Sequence, residues 1–210
     1  MLSADSGNPP ADPPADPTAG PEGLSADLFS HWLELCADSP AADGLPVRAQ
    51  VDMLTLPVPT LPWFFLHERV ESRYRSLIAG TRLASSLGFE PKGRFLDEVM
   101  SSAVYADRRE VFDTCLDTGR SFFYRGALSK PTNRHVAFCR LLLPLHRAAD
   151  GPIDMLCGML IFLEKSSLTE RDRRSIESGF HGLFDCLCYE AGAWRNWAQD
   201  QTSAKTIALR

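Results

Sequence analysis

The stretch 133–165, NRHVAFCRLLLPLHRAADGPIDMLCGMLIFLEK, constrains the fold more than any other part of the chain. Two apolar runs, 136–145 and 153–163, flank a polar loop centred on Ala148-Ala149-Asp150-Gly151-Pro152. Gly and Pro at that loop favour two strands joined by a turn over one broken helix. Neither run alternates cleanly between apolar and polar residues, so both faces of this hairpin are expected to be covered. A hairpin buried on both sides belongs at the centre of an antiparallel sheet.

The rest of the chain supplies the cover. Residues 1–23 hold six of the 15 prolines and one large apolar side chain, Leu2. Such a segment cannot bury enough surface to offset its ordering entropy and reads as a disordered Pro-rich tail. Residues 24–60 read as a helix followed by an extended linker. Ser25 can cap the helix, which runs to about Cys36. Leu28, Trp32 and Leu35 recur at helical spacing, with Phe29, Leu33 and Cys36 beside them. This stripe must lie on the main domain or on a second copy of itself. Prolines 57, 59 and 62 then keep the chain extended.

The core is expected over 61–165. Trp63-Phe64-Phe65-Leu66 opens the first strand, His67-Glu68-Arg69 suits a turn, and 70–79 reads as the second strand. Alternation puts Val70, Ser72, Tyr74, Ser76 and Ile78 on one face of it. Two short helical pieces follow, one ended by Gly88. A longer helix from Ser101 or Ser102 to Thr118 is ended by Gly119. A third strand over 121–128 leads into the central hairpin. Ser167-x-x-Glu170 matches a capping box, and Ile176, Phe180, Leu183, Leu187, Ala191 and Trp194 recur at spacings of three and four. The expectation is an amphipathic C-terminal helix over 166–198, with a tail over 199–210. The fold class is therefore α+β: a five-stranded antiparallel sheet with helices on one face and helices flanking it at both ends.

Composition excludes several classes. All 22 Lys and Arg residues lie after Val47, whereas eight of the 27 acidic residues lie before it. The folded part is mildly basic, which is no footprint for nucleic acid. The longest apolar runs fall far short of the ~18 residues a membrane span needs. The N-terminus has neither a basic region nor an apolar one, so no signal peptide is expected and the six cysteines read as reduced, buried thiols in a cytoplasm. Cys186-x-Cys188 places two thiols close in sequence, but no second close pair exists to complete a metal site. No metal is expected. There is no G-x-S-x-G, no H-E-x-x-H and no phosphate-cradling Gly-rich loop, and the five histidines lie far apart. The expectation is a protein that is not an enzyme.

The order of elements, with particular phrases in it, resembles a PAS domain, and most of all the stand-alone bacterial PAS-like proteins. The phrases are Trp32 in a leading helix, Leu45-Pro46-Val47-Arg48, Leu61-Pro62, Tyr74-Arg75 with Gly80-Thr81, and Gly88 with Gly93 before Leu96-Asp97. Arg140-Leu141-Leu142-Leu143-Pro144-Leu145 and Gly151-x-Ile153-Asp154-x-Leu156-x-Gly158 complete them. The resemblance covers about residues 26–165. It departs from the family at Met53, where a Pro usually follows soon after the Asp, and in the polar second strand with Ser72 and Ser76.

The resemblance implies a sensory or regulatory module that holds a ligand between sheet and helices and dimerises through its flanking helices. Flavin photosensors of the family need a Cys before an Arg-Phe-Leu phrase, where this chain has Gly93. Family haem sensors commonly use a His on the helix over 102–118, which has none, although His135 and His146 lie on the central hairpin. Haem and flavin are therefore disfavoured and the cofactor is left unknown. The candidate pocket residues are Tyr74, Ser76, Tyr105, Phe112, Phe122, Tyr124, Phe138 and Arg140, the aromatic ones among them reading first as core. Arg140 sits in an otherwise apolar run and must be paired or reach water. It either bridges to an acid such as Glu98 or Asp154 or binds an anionic ligand. Leu28, Trp32, Leu35, Phe180, Leu183, Leu187 and Trp194 are the candidate dimer or partner residues, the partner being a second copy or a signalling protein. Nucleic acid and membrane are not expected as partners. Three functions stay open: a sensor for a small molecule, a ligand-free homodimeric adaptor, and, more distantly, a small α+β enzyme.

Overall fold

The central hairpin forms where its loop composition places it, and the other elements pack around it. The computed structural model describes residues 21–129, 135–178 and 182–196. In chain order the elements are α1 (Pro21–Ala37), β1 (Phe64–Val70), β2 (Arg73–Ala79), α2 (Thr81–Leu87), α3 (Leu96–Val99), α4 (Ser102–Thr118), β3 (Ser121–Ser129), β4 (His135–His146), β5 (Ile153–Phe162), α5 (Glu170–Glu177), β6 (Gly182–Glu190) and β7 (Ala193–Asn196). The strands form one sheet in the order β2-β1-β5-β4-β3-β6-β7, with every neighbouring pair antiparallel. The α+β class and the central position of β4 and β5 are as expected.

Alternation along the hairpin decides the two layers. Cys139, Leu141, Leu143 and Leu145 of β4, with Met155, Cys157, Met159 and Ile161 of β5, join a core that α1 closes with Leu28, Phe29 and Trp32. Phe138, Leu142, Leu156 and Leu160 face the other way, into a core closed by Leu83 of α2, Leu96 of α3 and Phe112, Cys115 and Leu116 of α4. Both faces of the sheet are thus covered, which is why neither apolar run alternates in sequence. The helices do not all lie on one face.

The stripe on α1 takes the first of its two possible seats, the domain itself. Leu28 and Trp32 are buried and Leu35 is partly so. The indole Nε1 of Trp32 donates to the Pro144 carbonyl of β4 at 3.3 Å. Burying side chains of this size contributes about 1.5–3 kcal/mol each, so these residues stabilise the chain's own fold and are not left over for a dimer. The helix also begins before Ser25, which is buried within it rather than capping it.

Two expectations about strands are corrected. His67-Glu68-Arg69 is not a turn: β1 continues to Val70, and the chain reverses at Glu71, whose φ is +57°. A bulge between Leu66 and His67 re-phases the pairing, so that His67 faces Ser76 and Arg69 faces Tyr74. The larger correction is at the C-terminus. The helix over 166–198 is replaced by the short α5 and a β6–β7 hairpin whose turn uses positive φ at Ala191 and Gly192. The same residues suit a strand, since Cys186 and Cys188 pack on the α4 side and Tyr189 on the α1 side. Pairing decides: β3 would otherwise present a bare edge beside β4, and β6 satisfies its backbone groups. The capping box that starts α5 is Thr169 with Asp172, not Ser167 with Glu170. Asp172 is fully buried and also receives Arg125 of β3, which fastens α5 to the sheet. Leu183, Leu187 and Trp194 therefore lie on strands, while Phe180 and the tails 1–20 and 197–210 lie outside the described residues.

Candidate ligand cavity between the sheet and α2–α4

A small cavity of about 20 Å³ lies between the sheet and α2–α4. Its floor is Phe65 and His67 of β1, Ala79 of β2, Arg140 of β4 and Leu160 of β5. Its roof is Leu83, Leu87, Phe89, Pro91, Leu96, Met100 and Phe112. The roof is fixed to the sheet edge by the segment before α3: Gly93 N donates to Ser76 O at 2.7 Å, and Ser76 N donates to Arg94 O at 3.0 Å. Such a volume holds about one water.

Two polar side chains break the apolar lining. Arg140 is 4% exposed. Pairing with Leu160 on one side and Tyr124 on the other fixes it on the same face as Phe138, as alternation predicts. Its Nη1 donates to the Tyr124 hydroxyl at 3.1 Å. The rings of Phe112, Phe138 and Tyr124 lie 5.5, 5.6 and 5.9 Å from its guanidinium carbon, close enough for cation–π attraction. Its Nε has no hydrogen-bond partner among the described residues. Neither acid considered as its salt-bridge partner reaches it: Glu98 pairs with Arg73, and Asp154 with Arg147.

His67 is 8% exposed and stacks on Phe65, ring centroids 4.6 Å apart. Its Nδ1 makes no well-formed hydrogen bond among the described residues. Burial, reinforced by the positive charge of Arg140 and, more weakly, of Arg108, pushes its pKa down to about 3. The ring is neutral at pH 7, and a neutral imidazole leaves one acceptor and one donor for a visitor. Arg108 of α4 lies behind the roof, with Nη1 2.8 Å from Met100 Sδ, a weak acceptor. Burial and then Arg140 pull its pKa down to about 9, which leaves it cationic at pH 7. Ser76, directly across from His67, is fully buried, its hydroxyl without a partner among the described residues.

Of the eight candidate pocket residues, Phe112 and Arg140 line the cavity. Tyr74, Phe122, Tyr124 and Phe138 form the surrounding core, with Tyr105 packed against it. Tyr74 spends its hydroxyl on Asp113 at 2.7 Å. Sequence reasoning missed His67 and Arg108. The first falls in the stretch expected to be a turn, and the second lies on α4 among charged neighbours that give it no separate signal. Unbroken alternation from Phe65 would have placed His67 beside it on the floor. His146, one of the two hairpin histidines, is engaged elsewhere: Nδ1 donates to Gly151 O at 2.8 Å and Nε2 meets Asp43 Oδ2 at 3.0 Å. Among the described residues no three His, Cys, Asp or Glu side chains converge as a metal site would require.

A two-faced antiparallel sheet with its helical cavity on one side now stands beside the comparison with known families. A PAS domain model matches residues 23–161, which is more than half of the chain. The chain belongs to the PAS domain family. PAS domains are sensory and ligand-binding modules and are generally non-catalytic. A comparison with curated proteins returns no match.

Several solved structures are similar to this PAS chain at low identity. A LOV protein of Rhodobacter sphaeroides is 16% identical over 56% of this chain and 64% of its own, with a TM-score of 0.40. VqmA of Vibrio cholera, in a complex with ligand and DNA, is 16% identical over 62% of this chain and 59% of its own, with a TM-score of 0.40. A domain of an HTR-like protein from Haloarcula marismortui is 19% identical over 49% of this chain and 99% of its own, with a TM-score of 0.36. The chain thus spans less than two thirds of the first two. The second of these structures is itself a complex with DNA. Among the described residues no helix is long and apolar enough to cross a membrane.

Proposed function

We propose that this PAS domain is a sensory or regulatory module that binds a small molecule in the cavity between the sheet and α2–α4 and passes the change to a partner, without catalytic machinery of its own. The observation that carries the reading is the Nε of Arg140, buried at a cavity wall that His67 also lines and without a hydrogen-bond partner among the described residues. Buried polar groups are ordinarily satisfied, and one left open at a cavity wall is a candidate contact for a ligand or a water. The output path runs through the sheet to α1 and the β6–β7 hairpin. Phe29 of α1 meets Tyr189 of β6 and Trp194 of β7 at 4.8 Å each, so a change in the sheet reaches both flanking elements together.

The closed state of the cavity favours a second reading. With room for one water and aromatic side chains packed around it, the domain would serve as a ligand-free adaptor. A thermal-shift screen of small metabolites against the wild type and Ala79→Leu separates the two. The sensor reading expects compounds that raise Tm of the wild type and lose that effect when the added side chain fills the cavity. Compounds that stabilise both proteins equally, or none that stabilise the wild type, favour the adaptor.

A further inference from the structure

Charge around the cavity does not balance. On its floor Arg140 is cationic, and His67 is neutral. On α4 Arg108 is cationic, and among the described residues the carboxylate that acts on it is Asp107. The neighbouring acids are committed elsewhere. Asp113 takes the Tyr74 hydroxyl and Arg109. Asp97 and Glu98 hold Arg73. Glu68, next to His67 in sequence, pairs with Arg75 and Arg147. Tyr124 accepts a hydrogen bond from Arg140 but carries no charge at pH 7, because burial pushes its pKa up. One positive charge is left without a carboxylate among the described residues. Aromatic rings and the Tyr124 hydroxyl offset part of the cost of burying Arg140, but a guanidinium in a dry site still calls for an anion.

We propose that the cavity takes a small monocarboxylate, its carboxylate on Arg140 and its apolar body against the side chains of α2–α4. This rests on the ligand-binding reading above and gives the class of ligand. The Arg140 guanidinium, whose Nε has no hydrogen-bond partner among the described residues, suits a carboxylate, whose two oxygens accept from the planar fork. His67 offers a neutral donor or acceptor beside it. A single excess charge fits a monoanion better than a phosphate monoester. The rest of the lining, Leu83, Leu87, Leu96, Met100 and Leu160 among it, offers no polar partner and selects a hydrocarbon body. Because the present volume is about 20 Å³, such a body must displace α2 and the segment before α3 outward. That gives the ligand a means of changing the domain's shape.

The test uses the full chain and four probes at matched ionic strength: sodium butyrate, sodium benzoate, and their neutral amides, with sodium chloride as the reference salt. Tm and calorimetric affinity are read for each. The proposal expects the acids to raise Tm above chloride and to bind at least about tenfold more tightly than the amides. Arg140→Gln should bring the acids down to the level of the amides, and Arg108→Gln should weaken them less. The acid–amide comparison in the wild type decides the matter even if Arg140→Gln fails to fold. Equal binding of acid and amide would overturn the carboxylate class while leaving a ligand site in place. Chloride matching the acids would assign the charge to an inorganic ion and overturn it as well. No binding by acid or amide would remove both this inference and the ligand-binding reading beneath it.

Discussion

Arg140 Nη1 donates to the Tyr124 hydroxyl at 3.1 Å across the β3–β4 pair, and this is the one hydrogen bond that the described structure gives the buried guanidinium. Removing it should be costly while Arg140 is present and cheap when it is absent. Tyr124→Phe is expected to lower stability by about 1.5–3 kcal/mol, the range for hydrogen bonds to a charged group. In an Arg140→Met background the same substitution should cost under about 1 kcal/mol. Urea unfolding of the four proteins measures the coupling, and additive effects would contradict it.

His67 makes the domain sensitive to acid. Its folded pKa, pushed down to about 3 by burial and the two arginines, lies below its ordinary value of 6.5. The unfolded chain therefore binds the extra proton first. The stability this residue contributes is full above pH 6.5 and is lost as pH falls toward 3, at up to about 1.4 kcal/mol per pH unit inside that window. His67→Gln, which cannot titrate, should flatten the curve of Tm against pH over this range. An unchanged slope would place the acid sensitivity elsewhere.

The His146–Asp43 pair has the opposite pH signature on its histidine side. Burial lowers the His146 pKa, but the hydrogen bond and charge of Asp43 outweigh it and the net shift is upward from 6.5. Burial raises the Asp43 pKa, and backbone and His146 hydrogen bonds outweigh that, so its net shift is downward from 3.8. His146 contributes fully below pH 6.5 and loses its contribution as pH rises through the folded value. Asp43 contributes fully above pH 3.8 and loses its share below. The pair should thus stabilise most between these limits, by no more than about 1 kcal/mol because Asp43 is half exposed. Asp43→Asn should remove that maximum from the difference curve.

Gly158 sits where β5 passes closest to its neighbours. A Cβ there would lie 1.9 Å from the Leu141 carbonyl oxygen and 3.0 Å from the Phe65 ring. The first contact is with backbone and cannot relax by a rotamer change. Gly158→Ala should cost about 3 kcal/mol or more through overpacking. A denaturation midpoint near the wild type would show that β4 and β5 separate more easily than their pairing suggests.

What was legible in the chain followed its local signals. The hairpin was readable because Gly151-Pro152 punctuates two apolar runs. The end of α4 was readable because Gly119, at φ +63°, can leave the helix left-handed. Arg140 stood out as a lone cation in an apolar run. The rest depended on contacts between distant segments. Leu183 and Leu187 satisfy a helical period as well as a strand, and the unpaired edge of β3 decides between them. The bulge at Leu66/His67 carries no residue signature, so His67 was lost to a predicted turn. Whether Arg140 had an acid partner depended on Arg73 and Arg147 engaging Glu98 and Asp154, a competition that sequence spacing does not reveal.

The most direct measurement is a native mass spectrum of the freshly purified protein beside a denatured sample. The account predicts a small-molecule adduct that is present in the wild type, lost on denaturation, and absent from Ala79→Leu prepared the same way. A bare chain mass in the native spectrum, unchanged after incubation with a small-molecule extract of the producing cells, would contradict it.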